Sequence, residues 1–244
     1  MVKMIPTKLN GEYKITLPQH RAERKEWHQK EGWEKKRLAS MHKNLMKGDT
    51  VYYVGAEEGE MPALCQMWGA KVVMFEPNPK VWPNIKAIWD ANKLEKPAGL
   101  FAGFASDTTE PAIEPMEFSE LMAIGEDSWP KCAHDEVIGN HGFKELDKEY
   151  KHFEQIKLDD YFWRTKIVPT AISLDVEGAE GRVLKGAVQI IEQFKPKIWL
   201  SGHPEFIHEN FGMYLHELRV WLRDFGYKEE LLDYDHEVHL FYHN

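Results

Sequence analysis

The stretch from Val51 to Pro79, VYYVGAEEGEMPALCQMWGAKVVMFEPNP, constrains the fold of this chain more than any other. It reads as an apolar strand, a Gly-x-x-x-Gly turn, a short helix, a second apolar strand, and a carboxylate, Glu76, at that strand's tip. Strands that are apolar throughout and joined by a helix belong to a parallel sheet covered on both faces. The segment is half of a nucleotide-type α/β fold.

The turn also limits the ligand. In a dinucleotide fingerprint, G-x-G-x-x-G brings a pyrophosphate to a helix N-terminus, and an acid about 20 residues on takes ribose hydroxyls. Gly55 and Glu76 keep that spacing, but the middle glycine is missing. Glu57, Glu58 and Glu60 crowd the helix start, where they would repel a diphosphate and favour an ammonium or sulfonium. The expectation is a cationic adenosyl ligand, S-adenosylmethionine, rather than NAD. Acids in a first helical turn also stabilise the helix dipole, which accounts well for Glu58 or Glu60 but leaves the lack of a phosphate cradle unexplained.

With 244 residues the chain can build one α/β domain plus an appendage. A net charge of −9 argues against a general nucleic-acid binder. Cys65 and Cys132 are too few for a disulfide scaffold, no apolar run reaches membrane-spanning length, and the start MVKMIPTKLNGEYK lacks a signal-peptide core. A soluble, cytoplasmic protein that contacts neither nucleic acid nor membrane is expected.

Residues 1–46 read as an N-terminal helical extension, with Trp27, Trp33, Leu38, Met41 and Leu45 on or near one helical face. Its basic residues, among them Arg21, Arg24, Lys35 and Arg37, read as the solvated side of a helix. Its tryptophans would serve a homodimer if exposed, and otherwise pack back on the sheet. Residues 47–244 form the main domain. Helical spacing returns at 80–94, Gly99–Ala105 reads as a third strand, and 106–152 is a Pro- and Gly-containing variable region of the kind that forms a lid or substrate surface. Cys132, His134 and His141 lie there without zinc-type spacing. Thr170–Asp175 is a strand, Ala179–Phe194 one helix, Lys197–Leu200 another strand, and Leu215–Phe225 a helix. A closing hairpin around 227–232 and 238–242 then supplies one reversed strand at the sheet edge.

Three segments in order, GDTVYYVGAEEG (48–59), VVMFEPNP (72–79) and SLDVEGAEGRVLKGA (173–187), resemble the motifs of FkbM-type S-adenosylmethionine-dependent methyltransferases, and Lys157-Leu158-Asp159 resembles the element that leads into the third. The resemblance implies a Rossmann-like class I fold with a mostly parallel seven-stranded sheet, and most often O-methylation of sugars or natural products. The chain departs from the family where Tyr53 replaces an aspartate and Glu57 an asparagine. The aspartate would lie near the methionine ammonium, a place Glu57 could take over; otherwise the site could be vestigial.

In an open α/β sheet the ligand lies beyond the carboxyl ends of the strands. The cofactor residues expected there are Gly55, Ala56, Glu57, Gly59, Glu76, Pro77, Asn78, Phe104, Ala105, Ser106 and Asp175, with Glu76 on the ribose and 104–106 as the adenine wall, although Phe104 could equally be core. The expected catalytic residues are Asp175, Glu177 and His203, with His203 as general base and His208, His236 and His239 behind it. A divalent cation held by Asp175, His203, Glu205 and His208 is an unsupported addition. The acceptor is a small molecule or glycan. An NAD-dependent oxidoreductase and an inactive methyltransferase-fold binding protein are the competing readings.

Overall fold

The computed structural model describes residues 2–28, 34–78, 80–109, 129, 154–234 and 237–244. Trp33, Pro79, Cys132, His134, His141, His236 and most of the 106–152 region lie outside the described residues. The chain opens on an antiparallel hairpin, β1 (Met4–Leu9) and β2 (Tyr13–Pro18), so the extension is helical only from Gln19 on. Asn10 and Gly11 turn it with positive φ, which an Asn-Gly pair adopts at little steric cost. Short α1 (Gln19–Ala22), a 3₁₀ turn (Lys25–His28) and α2 (Lys35–Asn44) complete the extension.

Then come β3 (Thr50–Val54), α3 (Glu60–Met67), β4 (Lys71–Phe75), α4 (Trp82–Ala91) and β5 (Gly99–Phe101). The expected third strand divides: β5 joins the main sheet, while β6 (Phe104–Ala105) pairs separately with β7 (Gln155–Ile156). After α5 (Leu158–Thr165) and β8 (Ala171–Asp175), the expected single helix breaks into α6 (Glu180–Lys185) and α7 (Val188–Phe194). Two contacts enforce the break. A Cβ on Gly186 would stand 1.9 Å from the Ser106 carbonyl oxygen, and the Asp159 carboxylate accepts the Gln189 and Ile190 amides at 3.0 and 2.9 Å, capping α7. The chain ends in β9 (Lys197–Gly202), α8 (Pro204–Phe211), α9 (Leu215–Asp224), β10 (Lys228–Tyr234) and β11 (Val238–His243).

The seven-stranded sheet runs β10-β11-β9-β8-β3-β4-β5, parallel from β9 to β5. The hairpin forms as expected, but its reversed strand is not at the edge. β11 inserts between β9 and β10, antiparallel to both. Burial decides this: VHLFYH is buried along nearly its whole length, whereas KEELLDY carries acids suited to a solvent-facing edge.

Alternate residues of β3 feed two cores. Tyr52 and Val54 pack with α5, α6, α7 and α9 on one face, while Val51 and Tyr53 pack with α2, α3, α4 and the hairpin on the other. Trp27 is fully buried in the second core, which removes it from any dimer surface. Asn92, which caps the C-terminus of α4, fastens β2 by accepting the Thr16 amide and donating to its carbonyl, both at 2.8 Å.

Arg21 and Arg37, expected on a solvated helix face, are buried instead. Arg21 donates to both oxygens of Glu57 at 3.0 Å and also to Glu60, while His20 and Asn84 meet Glu58 at 2.6 and 3.1 Å. The extension therefore pairs Glu57 and Glu60 with Arg21 and sets His20 against Glu58. The charge of these acids holds the extension down instead of selecting a cationic ligand, the role expected from sequence.

Two stability predictions follow from this packing. Leu240 and Leu231 face each other across the β10–β11 register, yet Leu240 is fully buried and Leu231 is 61% exposed. Leu240→Ala should lower unfolding free energy by about 2–5 kcal/mol and Leu231→Ala by less than about 0.5 kcal/mol in urea titrations; similar losses would contradict the buried placement of β11. Arg21→Met leaves Glu60 buried and unpaired, so it should cost about 3–5 kcal/mol, and adding Glu60→Gln should recover part of that. A loss below about 1 kcal/mol would mean that the pair does not anchor the extension.

Candidate functional site

β3 lies between β4 and β8, so the chain leaves it in opposite directions on its two sides. The crevice that opens there is the switch point at which open α/β sheets bind ligands. A cavity of about 270 Å³ occupies it, beyond the carboxyl ends of β3, β4 and β8. Of the residues expected from sequence, Gly55, Ala56, Glu57, Glu76, Pro77, Asn78, Phe104, Ala105, Asp175 and Glu177 line this cavity, and Gly59, Ser106 and His203 do not. Gly59 stands at the start of α3, where a Cβ would come within 2.9 Å of Ile85, and Ser106 is fully buried behind the wall, where Gly186 packs on its carbonyl. Gly55 has a packing duty as well as a place in the cavity, since at φ +80° a Cβ there would lie 1.8 Å from the Asp175 carbonyl oxygen.

Glu76 is the most defined group on the β4 side. Its carboxylate is buried and accepts the backbone amides of Glu57 and Asn78, each at 2.8 Å. Burial raises its pKa to about 7 against the opposing pull of those two amides. Each carboxylate oxygen keeps a lone pair for a hydroxyl donor in the cavity.

The floor differs from the sequence expectation. Tyr53 lines it beside the wholly buried guanidinium of Arg37, which donates to Asp175 at 2.9 Å, to Glu34 at 3.1 and 3.2 Å, and to Ser173 Oγ at 2.8 Å. Burial pushes Asp175 up to about 6 and Glu34 up to about 7, and Arg37 acts against both shifts. Glu57 cannot stand in freely for the family aspartate, because Arg21 holds both of its oxygens. Arg24, Glu34, Arg37 and Glu237 are lining residues that sequence reasoning missed, since only the fold brings the extension and the last hairpin to this crevice.

His203 begins α8 at the tip of β9. Its Nδ1 is 2.7 Å from the Glu180 carboxylate, which is fully buried and also accepts the Gly178 amide at 3.1 Å. Its Nε2 faces Glu237 at 3.5 Å, Glu177 at 3.6 Å and Asp175 at 3.8 Å. Burial alone would lower the pKa of His203, but the carboxylates of Glu180 and Glu237 override it and raise the imidazole to about 11. Those carboxylates favour the charged imidazole over the neutral base expected from sequence. Glu180 was legible as the last acid of Asp-Val-Glu-Gly-Ala-Glu, but its partner was not. His239 has the opposite setting: burial and then Arg37 push it down to about 4, and it meets Ser201 Oγ at 3.0 Å. His208 stacks on Tyr214, and neither it nor Glu205 joins Asp175 and His203 in a metal-like cluster among the described residues; Glu177 does.

No described helix is long and apolar enough to cross a membrane. Among solved structures, the chain is similar to the methyltransferase FkbM from Methylobacillus flagellatus KT, with 18% identity, a TM-score of 0.53, and coverage of 82% of this chain and 45% of that one. This chain thus spans less than half of that protein. Trm5b from Pyrococcus abyssi aligns over 99% of this chain and 55% of its own length at 15% identity and TM-score 0.49. A putative tRNA (m1A22) methyltransferase from Streptococcus pneumoniae, in complex with S-adenosyl-L-methionine, aligns over 85% and 70% at 12% identity and TM-score 0.44. No curated protein matches the chain. The fold is that of class I Rossmann-like methyltransferases. The family model for the methyltransferase FkbM domain matches residues 53–229, and the chain belongs to that family.

Proposed function

We propose that this chain uses S-adenosylmethionine to O-methylate a hydroxyl of a sugar, glycan or small natural product. The observation that carries the reading is Glu76, a buried carboxylate fixed by two backbone amides at the switch-point cavity, in the position that receives ribose hydroxyls in nucleotide-type α/β folds. S-adenosylmethionine would supply an electrophilic methyl on a sulfonium. In this arrangement Glu76 accepts the ribose diol, Phe104 and Ala105 flank the adenine, and Arg24 and Arg37 are the arginines among the residues around the methionine end.

The acceptor end lies at Asp175 and Glu177. Methyl transfer is an in-line displacement, so the protein has to align the acceptor and provide a route for its proton. Glu177 is half-exposed at the mouth, and burial raises its pKa, which makes it a better proton acceptor than an ordinary carboxylate. Asp175, tied to Arg37, positions. The acidic acceptor end suits a neutral polyol and disfavours a phosphorylated substrate.

A second reading, a methyltransferase-fold binding protein without catalysis, is favoured by Tyr53 and the Arg37 pair across the cavity floor. Calorimetry separates the readings. S-adenosylhomocysteine should bind at micromolar Kd and NADH should not, and saturation at a hundred times Kd should stabilise the fold by about 2.7 kcal/mol. Binding of NADH alone, or of neither, would end the proposal.

Glu76 makes the reading pH-dependent. A carboxylate that accepts two hydroxyls must be ionised, and its free pKa of about 7 means that ligand binding is coupled to proton release below that pH. S-adenosylhomocysteine affinity should therefore be constant above about pH 7 and fall by up to about tenfold per unit below it. Glu76→Gln should bind about tenfold or more weakly with a flat profile. A flat wild-type profile would dissociate Glu76 from the ribose.

A further inference from the structure

We infer that His203, Asp175 and Glu177, with Glu237 beside them, form a binding site for a first-row divalent cation at the acceptor end of the cavity. The inference rests on the function proposed above and adds a cofactor to it. Asp175, Glu177 and His203 each offer a ligand atom, and these atoms lie within 4.8 Å of one another. Glu237, from the start of β11, brings a third carboxylate to the same imidazole nitrogen.

Three carboxylates near one another would not make a site. The independent observation is His203 Nε2, a nitrogen on a side chain only 6% exposed that lacks a hydrogen-bond partner and points at all three. Its separations of 3.5, 3.6 and 3.8 Å are too long for good hydrogen bonds. They are close to what an ion between the atoms produces: donors held about 2.0–2.2 Å from a tetrahedral centre stand roughly 3.4 Å apart. The other ring nitrogen is already fixed by fully buried Glu180 at 2.7 Å, which leaves Nε2 as the free face. A buried carboxylate behind a histidine is the usual support of a metal-bound imidazole. One nitrogen with two carboxylate oxygens and an open position suits Mn²⁺ or Zn²⁺ better than Mg²⁺.

The site opens on Glu177, so an acceptor hydroxyl can complete the coordination. A cation there makes the hydroxyl more acidic and orients it toward the methyl donor. No electron transfer is involved: the hydroxyl proton leaves to the outer oxygen of Glu177 or to solvent, the oxygen bonds the methyl carbon, and the carbon–sulfur pair returns to sulfur.

The test is a Mn²⁺ titration of the chelator-treated full chain, with free Mn²⁺ read by electron paramagnetic resonance. One tight equivalent is expected, displaceable by Zn²⁺. Glu177→Gln, a change at a half-exposed position that leaves the core intact, and His203→Gln should each weaken binding at least about tenfold, and Glu180→Gln, which acts through His203, about 10- to 100-fold. Glu205→Gln, on α8 outside the cluster, should leave it unchanged. Absence of a tight equivalent, or equal affinity in wild type and Glu177→Gln, would overturn the inference. Calorimetry with S-adenosylhomocysteine on the same samples keeps the two ideas apart: cofactor binding without Mn²⁺ sinks the site alone, and loss of both sinks the methyltransferase reading too.

Discussion

The guanidinium of Arg37 is the interaction around which the rest of this structure is arranged. A cation removed from water costs several kcal/mol unless its donors are met, and here Glu34, Asp175 and Ser173 meet them. Those partners come from the extension and from the central strand β8. The extension is thus bound to the sheet at the point where the cavity opens. Arg21 repeats the device on the acids of the glycine turn.

This arrangement changes what the acids near the cavity do. Arg21 and Arg24 of the extension offset the charge of Glu57 and Glu60, and His20 meets Glu58. The unbalanced charge lies elsewhere, around His203, where Asp175, Glu177, Glu180 and Glu237 surround one imidazole. The ribose end and the acceptor end of the cavity are therefore chemically distinct. Glu76 is a hydrogen-bond acceptor shaped by backbone amides, while the β8 and β9 tips form a concentrated negative field.

Much of the fold was legible, for local reasons. The apolar runs of β3, β4, β8 and β9 have strand length and sit between helical periods, which is enough to specify parallel α/β pairing. The first hairpin was missed although Asn10-Gly11, flanked by Ile5, Tyr13, Ile15 and Leu17, carries a hairpin signal. The break between α6 and α7 was not legible, because it depends on a carbonyl of Ser106 and a carboxylate of Asp159 that are distant in sequence. Asp159 is also an example of a motif residue whose role here is structural: it caps a helix.

The sequence by itself determined the parallel strands, the family, and the identity of the cavity residues Gly55, Glu76, Asp175 and Glu177, since these follow from runs of neighbouring residues and their spacing. Only the tertiary structure decided which charges cancel. Arg21 and Arg37 read as solvated, and His203 as a base, because periodicity reports which face of an element is apolar but not which distant side chain occupies the space opposite. Pairing a buried charge is a long-range event: Arg37 meets Asp175 across 138 positions, and His203 meets Glu180 across 23. Desolvation then sets the protonation of each group according to that partner, which no local pattern encodes.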